Sequence, residues 1–396
     1  MATNRNGRPP ARKGQGGSYN RQPDDGYYYQ VPSGSRSSSR NFEDISSYSS
    51  PKAKKRAAQQ APNRRGRKKQ NSVRKASPAK VVVSILCVLL VLFGIGYFYV
   101  SFYLLNGLTT KSISKDKDSL GISASAMTES GIKNIALFGL DSRDDTNEGR
   151  SDALMILTVD NKHGKLKLTS ILRDSEVYIE DYGQDKVTHA YAYGGPELAI
   201  KTLNQNFQLD IEDYVTVNFV QMAKIVDAFG GTRVNVSAEE VSYINENLWT
   251  LAQEDEAANI VHDDFLKEDE YGDNMLLNGN QAVAYARIRY LDLDDVRASR
   301  QQNVLRGLLT QLKSLGILQY PGVVHSVAPM CETSLDVGDV LGMAPILFTD
   351  MELETLSIPG EAENPQDGYT DAGNWVYVYD LEAASQHIRS FIYETD

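Results

Sequence analysis

At 396 residues the chain is long enough for two or three domains, and 52 Asp and Glu against 41 Lys and Arg make it acidic overall, with a net charge of −11. The average hides a division: residues 1–80 carry 19 Lys and Arg against 4 Asp and Glu, and the remainder 22 against 48. Cys87 and Cys331 are the only cysteines and the five histidines are scattered, which excludes a disulfide framework and a zinc framework.

Residues 1–79 are rich in Ser, Gly, Pro, Gln, Asn and Arg and nearly free of aliphatic side chains. Such a segment buries too little apolar surface to offset its ordering entropy, so a disordered basic tail is expected. The run RRGRKKQNSVRK raises nucleic-acid binding as one reading. The tail has no helical periodicity or folded reading element, however, and basic residues beside a membrane span lie against anionic lipid. Membrane lipid is the expected partner and nucleic acid is not. Ser72 and Ser77 follow basic residues as kinase targets do; unmodified linker serines are the plain alternative.

Val81 to Leu105 reads VVVSILCVLLVLFGIGYFYVSFYLL, and no charge falls between Lys80 and Lys111. As a helix this run spans about 38 Å, enough for a hydrocarbon core of about 30 Å with some tilt. Tyr97, Tyr99 and Tyr103 stand where an interfacial aromatic belt belongs. The run and its leader are too long for a cleavable signal peptide. A transmembrane helix over residues 80–106 follows, with the amino terminus cytoplasmic and the rest of the chain outside the cell. Residues 107–131 read as a connector, and residues 132–396 as one extracellular domain.

The domain opens with a buried strand, Asn134 to Leu140, ending in Asp141 and Arg143; Arg150 and Asp152 stand beyond the loop DDTNE. Residues i and i+2 on extended backbone share a face, so each pair offers a carboxylate beside a guanidinium. A strand delivering alternating Asp and Arg to its end suits a divalent cation plus phosphate. The plain alternative is a surface turn with two exposed ion pairs.

Ala153–Asp160, ALMILTVD, is apolar almost throughout, the mark of a strand covered on both faces. NKHG is a turn whose His163 is expected to face solvent without chemistry. Lys165–Leu172 alternates as the third strand and ends in Arg173 and Asp174. His189, in DKVTHAYAYGG, reads as a packed, hydrogen-bonded histidine rather than a catalyst. Pro196 opens a helix. Tyr214–Phe219 is a strand, a helix runs on through Ala228, Gly230 and Gly231 stop it, and Thr232–Val236 is a further strand. Glu254–Asp273 is an acidic insertion; His262, Asp263 and Asp264 invite a metal reading, but a solvated surface loop fits such a charge run better. Val340–Leu347 and Leu381–Phe391 read as covering helices and Met351–Ile358 as a late strand. Strands and helices alternate, so the class is α/β with helices on both sheet faces.

Within Asn278–Gln302, Gly279–Ala286 is helical. Arg287 and Arg289 share a face only if the chain turns extended there. A second helix follows Asp294 and Asp295. Its apolar stripe of Val304, Leu305, Leu308, Leu309 and Leu312 projects backwards onto Arg297, Arg300 and Gln301. Cations on the inward face of a first turn oppose the helix dipole unless an anion binds there.

The ordered motifs LFGLDSR, GRSDALMILTVD, SILRDSEVYI, DKVTHAYAYGGPELA, YVTVNF, LNGNQAVAYARIRY and RASRQQ, with the core motifs spanning 133–315, resemble the LytR-CpsA-Psr family of membrane-anchored cell-wall enzymes. The resemblance implies a three-layer α/β/α sandwich around a mixed sheet, with a polyprenyl pyrophosphate carrier whose tail lies in an apolar tunnel. It implies transfer of an undecaprenyl-linked glycopolymer, such as teichoic acid or capsule, to a peptidoglycan hydroxyl, with magnesium (or manganese) at the pyrophosphate. Carried over, the metal-linked aspartates are Asp141 and Asp152. The pyrophosphate-binding arginines are Arg150, Arg173, Arg287, Arg289 and Arg297, with Arg143 close by. Asp141, Asp152, Arg150 and Arg289 are the expected catalytic set. Leu172 replaces the family's usual proline, Thr188 its usual asparagine and Leu293 its usual glycine. Two competing functions remain open: a membrane-tethered regulator using the basic tail, and a carrier-binding scaffold without turnover.

Overall fold

The computed structural model describes residues 109–141, 149–254, 258–289, 294–316 and 319–395, together with Val91. Residues 1–79, the apolar run of 80–106 apart from Val91, Arg143 and Leu293 lie outside the described residues, and no helix among the described residues is long and apolar enough to cross a membrane.

In chain order, β1 (Thr109–Thr110) precedes β2 (Ile132–Leu140), β3 (Ser151–Asp160) and β4 (Lys165–Ile171). β5 (Glu176–Ile179) and β6 (Gly183–Lys186) form a hairpin that leads into α1 (Val187–Phe207). β7 (Asp213–Asn218), α2 (Phe219–Ala228), β8 (Thr232–Val236), α3 (Ala238–Glu254), β9 (Gly272–Leu277), α4 (Gly279–Ala286) and α5 (Asp294–Ser314) follow. α6 (Tyr320–Val327), β10 (Glu332–Thr333), α7 (Val337–Met343), β11 (Glu352–Ile358), β12 (Gln366–Tyr369), β13 (Trp375–Val378) and α8 (Leu381–Tyr393) complete the chain. Seven strands build one mixed sheet in the order β1-β10-β7-β2-β3-β4-β11. β2 runs antiparallel to β3 and parallel to β7, and β4 runs antiparallel to β3 and parallel to β11.

The period of two sorts side chains between the faces. Ala136, Phe138, Leu154 and Ile156 pack with Leu203 and Phe207 of α1 and with Ile388 and Ile392 of α8. Leu137, Met155, Val215 and Val217 point the other way, toward α2, α4 and α5. β3 is buried on both faces, as its unbroken apolar run implies. Gly279 admits α4 close to α2: a Cβ there would meet the Ala223 carbonyl oxygen at 2.0 Å. α1 breaks at Gly195, whose φ of 66° and ψ of −158° only glycine adopts readily, and Pro196 restarts it where a proline lacks no needed donor. Residues 107–131, expected as a connector, contribute Leu120 and Ile122 to the main core and Thr109–Thr110 to the sheet edge.

Several local expectations change. α3 was not anticipated; Val241, Ile244, Leu248 and Leu251 bury its inner stripe between acidic residues. The helix expected over Val340–Leu347 is α7 followed by a 3-10 segment, Ala344–Phe348, because Pro345 has no amide hydrogen to continue the ladder. In the acidic insertion, His262 and Asp263 are fully exposed, whereas Asp264 is buried and accepts hydrogen bonds from the side chains of Asn278 and Asn280. It braces the start of α4 rather than binding a metal.

His163 is exposed, as expected, but its ring is hydrogen-bonded. Its Nδ1 lies 2.6 Å from Asp160 Oδ2, at the edge of a charged knot around the fully buried Lys167. Lys167 Nζ reaches Asp160 at 3.2 Å, Glu394 at 3.0 Å and the Ile392 carbonyl at 2.8 Å, tying α8 to the sheet. Asp160, His163 and Glu394 lie close enough to share a cation, and Lys167 already supplies that charge.

Removing Lys167 (Lys167→Met) leaves Asp160 buried without its lysine and is expected to lower stability by about 3–5 kcal/mol in denaturant unfolding. Hydrogen bonds from Lys165 and Lys167 hold the Glu394 carboxyl at about 2, below its ordinary 4.5. A folded-state pKa below the unfolded value means the contribution is complete above about pH 4.5 and fades as pH falls toward 2. Melting temperature should therefore drop across that window, and less so in Glu394→Gln.

Candidate active site

β2, β4 and β7 finish at one end of the sheet, and β3, antiparallel to β2 and β4, begins there. Open α/β sheets bind ligands outside the carboxyl ends of their strands. Asp152, the second residue of β3, is 9% exposed and sits at this end. Its Oδ1 accepts from Arg173 Nη1 at 3.3 Å; its Oδ2 accepts from Arg297 Nη2 at 3.4 Å and from Arg289 Nη2. Three guanidinium groups from three separate elements thus meet one carboxylate. Arg297, in the first turn of α5, is only 4% exposed, so the inward cation inferred from the helix stripe is present and is directed at the site.

The supports come from the segment after β4, from β6, and from α1 and α5. Arg173 Nε donates to Asp174 at 3.0 Å, and Lys186 Nζ donates to the other Asp174 oxygen at 2.5 Å. Burial works against the Asp174 carboxylate, but Lys186 and Arg173 outweigh it and hold its pKa below the ordinary value. Thr188 Oγ1 donates to the Ser151 carbonyl at 2.7 Å, fixing the first turn of α1 against the start of β3. Leu172 donates its backbone N–H to the Ile358 carbonyl at 2.7 Å, a bond that proline could not make. Gln302 donates to Ser170 and to the Leu356 carbonyl, anchoring α5 on β4 and β11. Apart from the adjacent Arg173–Asp174 pair, these contacts join residues distant in the chain, and short-range pattern does not reveal them.

Asp141 and Arg150 are exposed and face each other across the mouth of the β2–β3 hairpin, with the Asp141 N–H donating to the Arg150 carbonyl at 3.2 Å. Among the described residues, Asp152 pairs with the distant arginines and not with Arg150, its neighbour by two. Arg143 lies outside the described residues. Arg287 and Arg289 do not share a face: Arg287 ends α4 in αR geometry and its guanidinium lies 4.6 Å above the Phe219 ring, while Arg289 turns to Asp152. Arg300 is also diverted. Three residues beyond Arg297 on the helix, its Nε donates to Glu240 of α3 at 2.7 Å. Glu240, sixty residues earlier in the chain, removes Arg300 from the cluster at Asp152. His189 is hydrogen-bonded as expected, its Nδ1 2.8 Å from Asp185 Oδ2.

Beside the cluster opens a cavity of about 280 Å³. Leu137, Met155 and Val217 of the sheet line it, with Met222 of α2, Val283 of α4 and Leu305 of α5 among the helical residues. Ala153 and Gln301 line both this apolar cavity and the cleft containing Asp152, Arg173 and Arg297. A greasy space therefore leads to a positively charged end. Such a site suits an amphiphilic anion, with its chain among aliphatic side chains and its charge against guanidinium groups.

Fold and site together define an α/β/α protein with an arginine-collared anion site at the mouth of an apolar cavity. The chain matches the model of the LytR_cpsA_psr family over residues 96–390, and it belongs to that family. It is 31% identical over 283 residues (70% of this chain, 83% of the relative) to the polyisoprenyl-teichoic acid–peptidoglycan teichoic acid transferase TagU of Bacillus mycoides strain KBAB4. It is 29% identical over 246 residues (59% of this chain, 70% of the relative) to TagT of Bacillus subtilis strain 168, which carries the same transferase description. In fold it resembles the LytR-CPS2A-psr family protein YwtF (TagT) with bound octaprenyl pyrophosphate lipid, at 24% identity and a TM-score of 0.51, over 71% of this chain and 99% of that one.

Asp152→Ala removes the one carboxylate shared by three cations. It should cost about 3–5 kcal/mol, because Arg297 stays buried among like charges. Inorganic pyrophosphate should restore much of the lost melting temperature, and should restore little in wild type. Equal shifts in both proteins would place the anion elsewhere.

Proposed function

We propose that the chain is a membrane-anchored phosphotransferase that moves an anionic glycopolymer from a polyprenyl pyrophosphate carrier onto peptidoglycan. The convergence of Arg173, Arg289 and Arg297 on Asp152 at the mouth of the apolar cavity carries this reading. The relatives' descriptions as teichoic acid transferases agree with it. The residues 80–106 would anchor the enzyme, with its amino terminus in the cytoplasm and its domain outside.

In this reading the lipid chain lies in the cavity and the diphosphate displaces Asp152 from part of its guanidinium shell. A hydroxyl of the peptidoglycan acceptor attacks the sugar-linked phosphorus. A new P–O bond to the acceptor forms, the P–O bond to polyprenyl phosphate breaks, and the lipid phosphate leaves. Negative charge grows on the nonbridging and leaving oxygens, where planar, permanently charged guanidinium groups stabilise it. Arg289, at 40% side-chain exposure, can follow that charge; Arg297 is fixed. Both Asp152 oxygens already accept hydrogen bonds, so the exposed Asp141 is the better acceptor for the hydroxyl proton.

Magnesium, or manganese in its place, suits this donor set only with the substrate's help. Asp152 has no oxygen clear of guanidinium, whereas Asp141 is an exposed hard ligand, and magnesium commonly takes one or two carboxylates plus phosphate oxygens. Asp141 would hold the ion through one carboxylate oxygen and keep the other for the hydroxyl proton, and Asp152 would be the second carboxylate. The ion would neutralise diphosphate charge.

Arg289→Ala should leave folding intact and lower transfer by about 100-fold or more, the usual effect of removing one transition-state donor. The assay follows lipid phosphate released from a lipid-linked donor incubated with peptidoglycan and the full chain. Undiminished release would take Arg289 out of the site, and no release by wild type would favour the scaffold.

A further inference from the structure

On the opposite side of the sheet from the apolar cavity, α1 and the β5–β6 hairpin place two exposed phenol rings together. Tyr193, in the last turn before the break in α1, stacks on Tyr182 of the hairpin turn with centroids 4.2 Å apart and planes 11° apart. The residues are 40% and 53% exposed. His189 joins the edge, its ring 5.8 Å from Tyr193, and Asp185 binds both, accepting from Tyr193 Oη at 2.6 Å and lying 2.8 Å from His189 Nδ1.

Holding the hairpin does not require this stack. Asn206 already makes two hydrogen bonds to the Tyr178 backbone, Lys186 pairs with Asp174, and the Val187 N–H donates to the Ser175 carbonyl. The same segment of α1 reaches the active site, since Thr188 is bonded to Ser151 and to the Arg173 carbonyl. The Asp185 hydrogen bond raises the Tyr193 phenol above its ordinary pKa. An aromatic face rimmed by hydroxyl and imidazole groups matches a pyranose, whose ring offers an apolar C–H face and a polar edge.

We propose that the stacked Tyr182–Tyr193 pair is a carbohydrate subsite that takes the donor sugar attached directly to the diphosphate. The inference rests on the transferase reading and extends it. The lipid chain occupies one layer of the sandwich, the diphosphate sits at the sheet end, and the sugar comes down on the helix of the other layer. Substrate choice is then read partly by these rings, not by charge alone.

The test uses the full chain in detergent and two probes: bare polyprenyl pyrophosphate, and the same lipid bearing one N-acetylhexosamine. Tyr182→Ala, which removes one ring without touching Asp185, should weaken the sugar-bearing probe by about tenfold and leave the bare lipid unchanged. Tyr182→Trp should restore the difference. Losses equal for both probes, or no loss with either, overturn the subsite while leaving the transferase reading standing. Wild type binding neither probe overturns both.

Discussion

One carboxylate holds three guanidinium groups at the end of the sheet, and the rest of the site depends on that arrangement. Arg173, Arg289 and Arg297 arrive from the segment after β4, from the segment after α4 and from α5. Brought together without a counter-ion they would repel one another, and Arg297 is too buried for water to screen that repulsion. In the proposed function Asp152 stands in for a diphosphate: it satisfies the cations here and would yield some of them to a stronger anion. The donors are in place before the substrate arrives, which is where electrostatic catalysis derives its advantage.

Around this centre the mixed sheet works as a partition. One face, with α2, α4 and α5, leaves an apolar cavity suited to a hydrocarbon chain. The other, packed by α1 and α8, is filled with Phe138, Leu203, Phe207 and Ile388, and α1 and the β5–β6 turn each carry one exposed tyrosine of a stacked pair. On the proposed reading, an amphiphile with a lipid, a diphosphate and a sugar would be read in three places at once. Two positions that depart from the family's usual residues keep this frame intact: Thr188 bonds the start of β3, and Leu172 adds a backbone hydrogen bond to β11.

How much was legible depended on whether the signal was local. The buried strands β2, β3 and β4, the helix α4 and the sheet-covering α8 follow from periodicity and were placed within a few residues. α3 carried a stripe at helical spacing, but the glutamates between its apolar residues obscured it. Arg297 was found because a buried cation at a helix start is anomalous. Arg300 satisfied the same test and proved to be paired with Glu240. Helix geometry fixes a side chain's direction to about a sixth of a turn, and the partner waiting there decides its role.

The sequence by itself determined the α/β class, the acidic and arginine-bearing strand ends and the family, since these reside in short-range pattern and ordered motifs. Tertiary structure alone decided which arginines share Asp152, which are diverted to Phe219 and Glu240, and that His163 belongs to a charged knot with Asp160. It also decided that an apolar cavity ends at the cluster. The reason is physical: a charge's function is set by its nearest counter-charge and by the water excluded around it, and in a sheet of seven strands both come from residues far away in the chain.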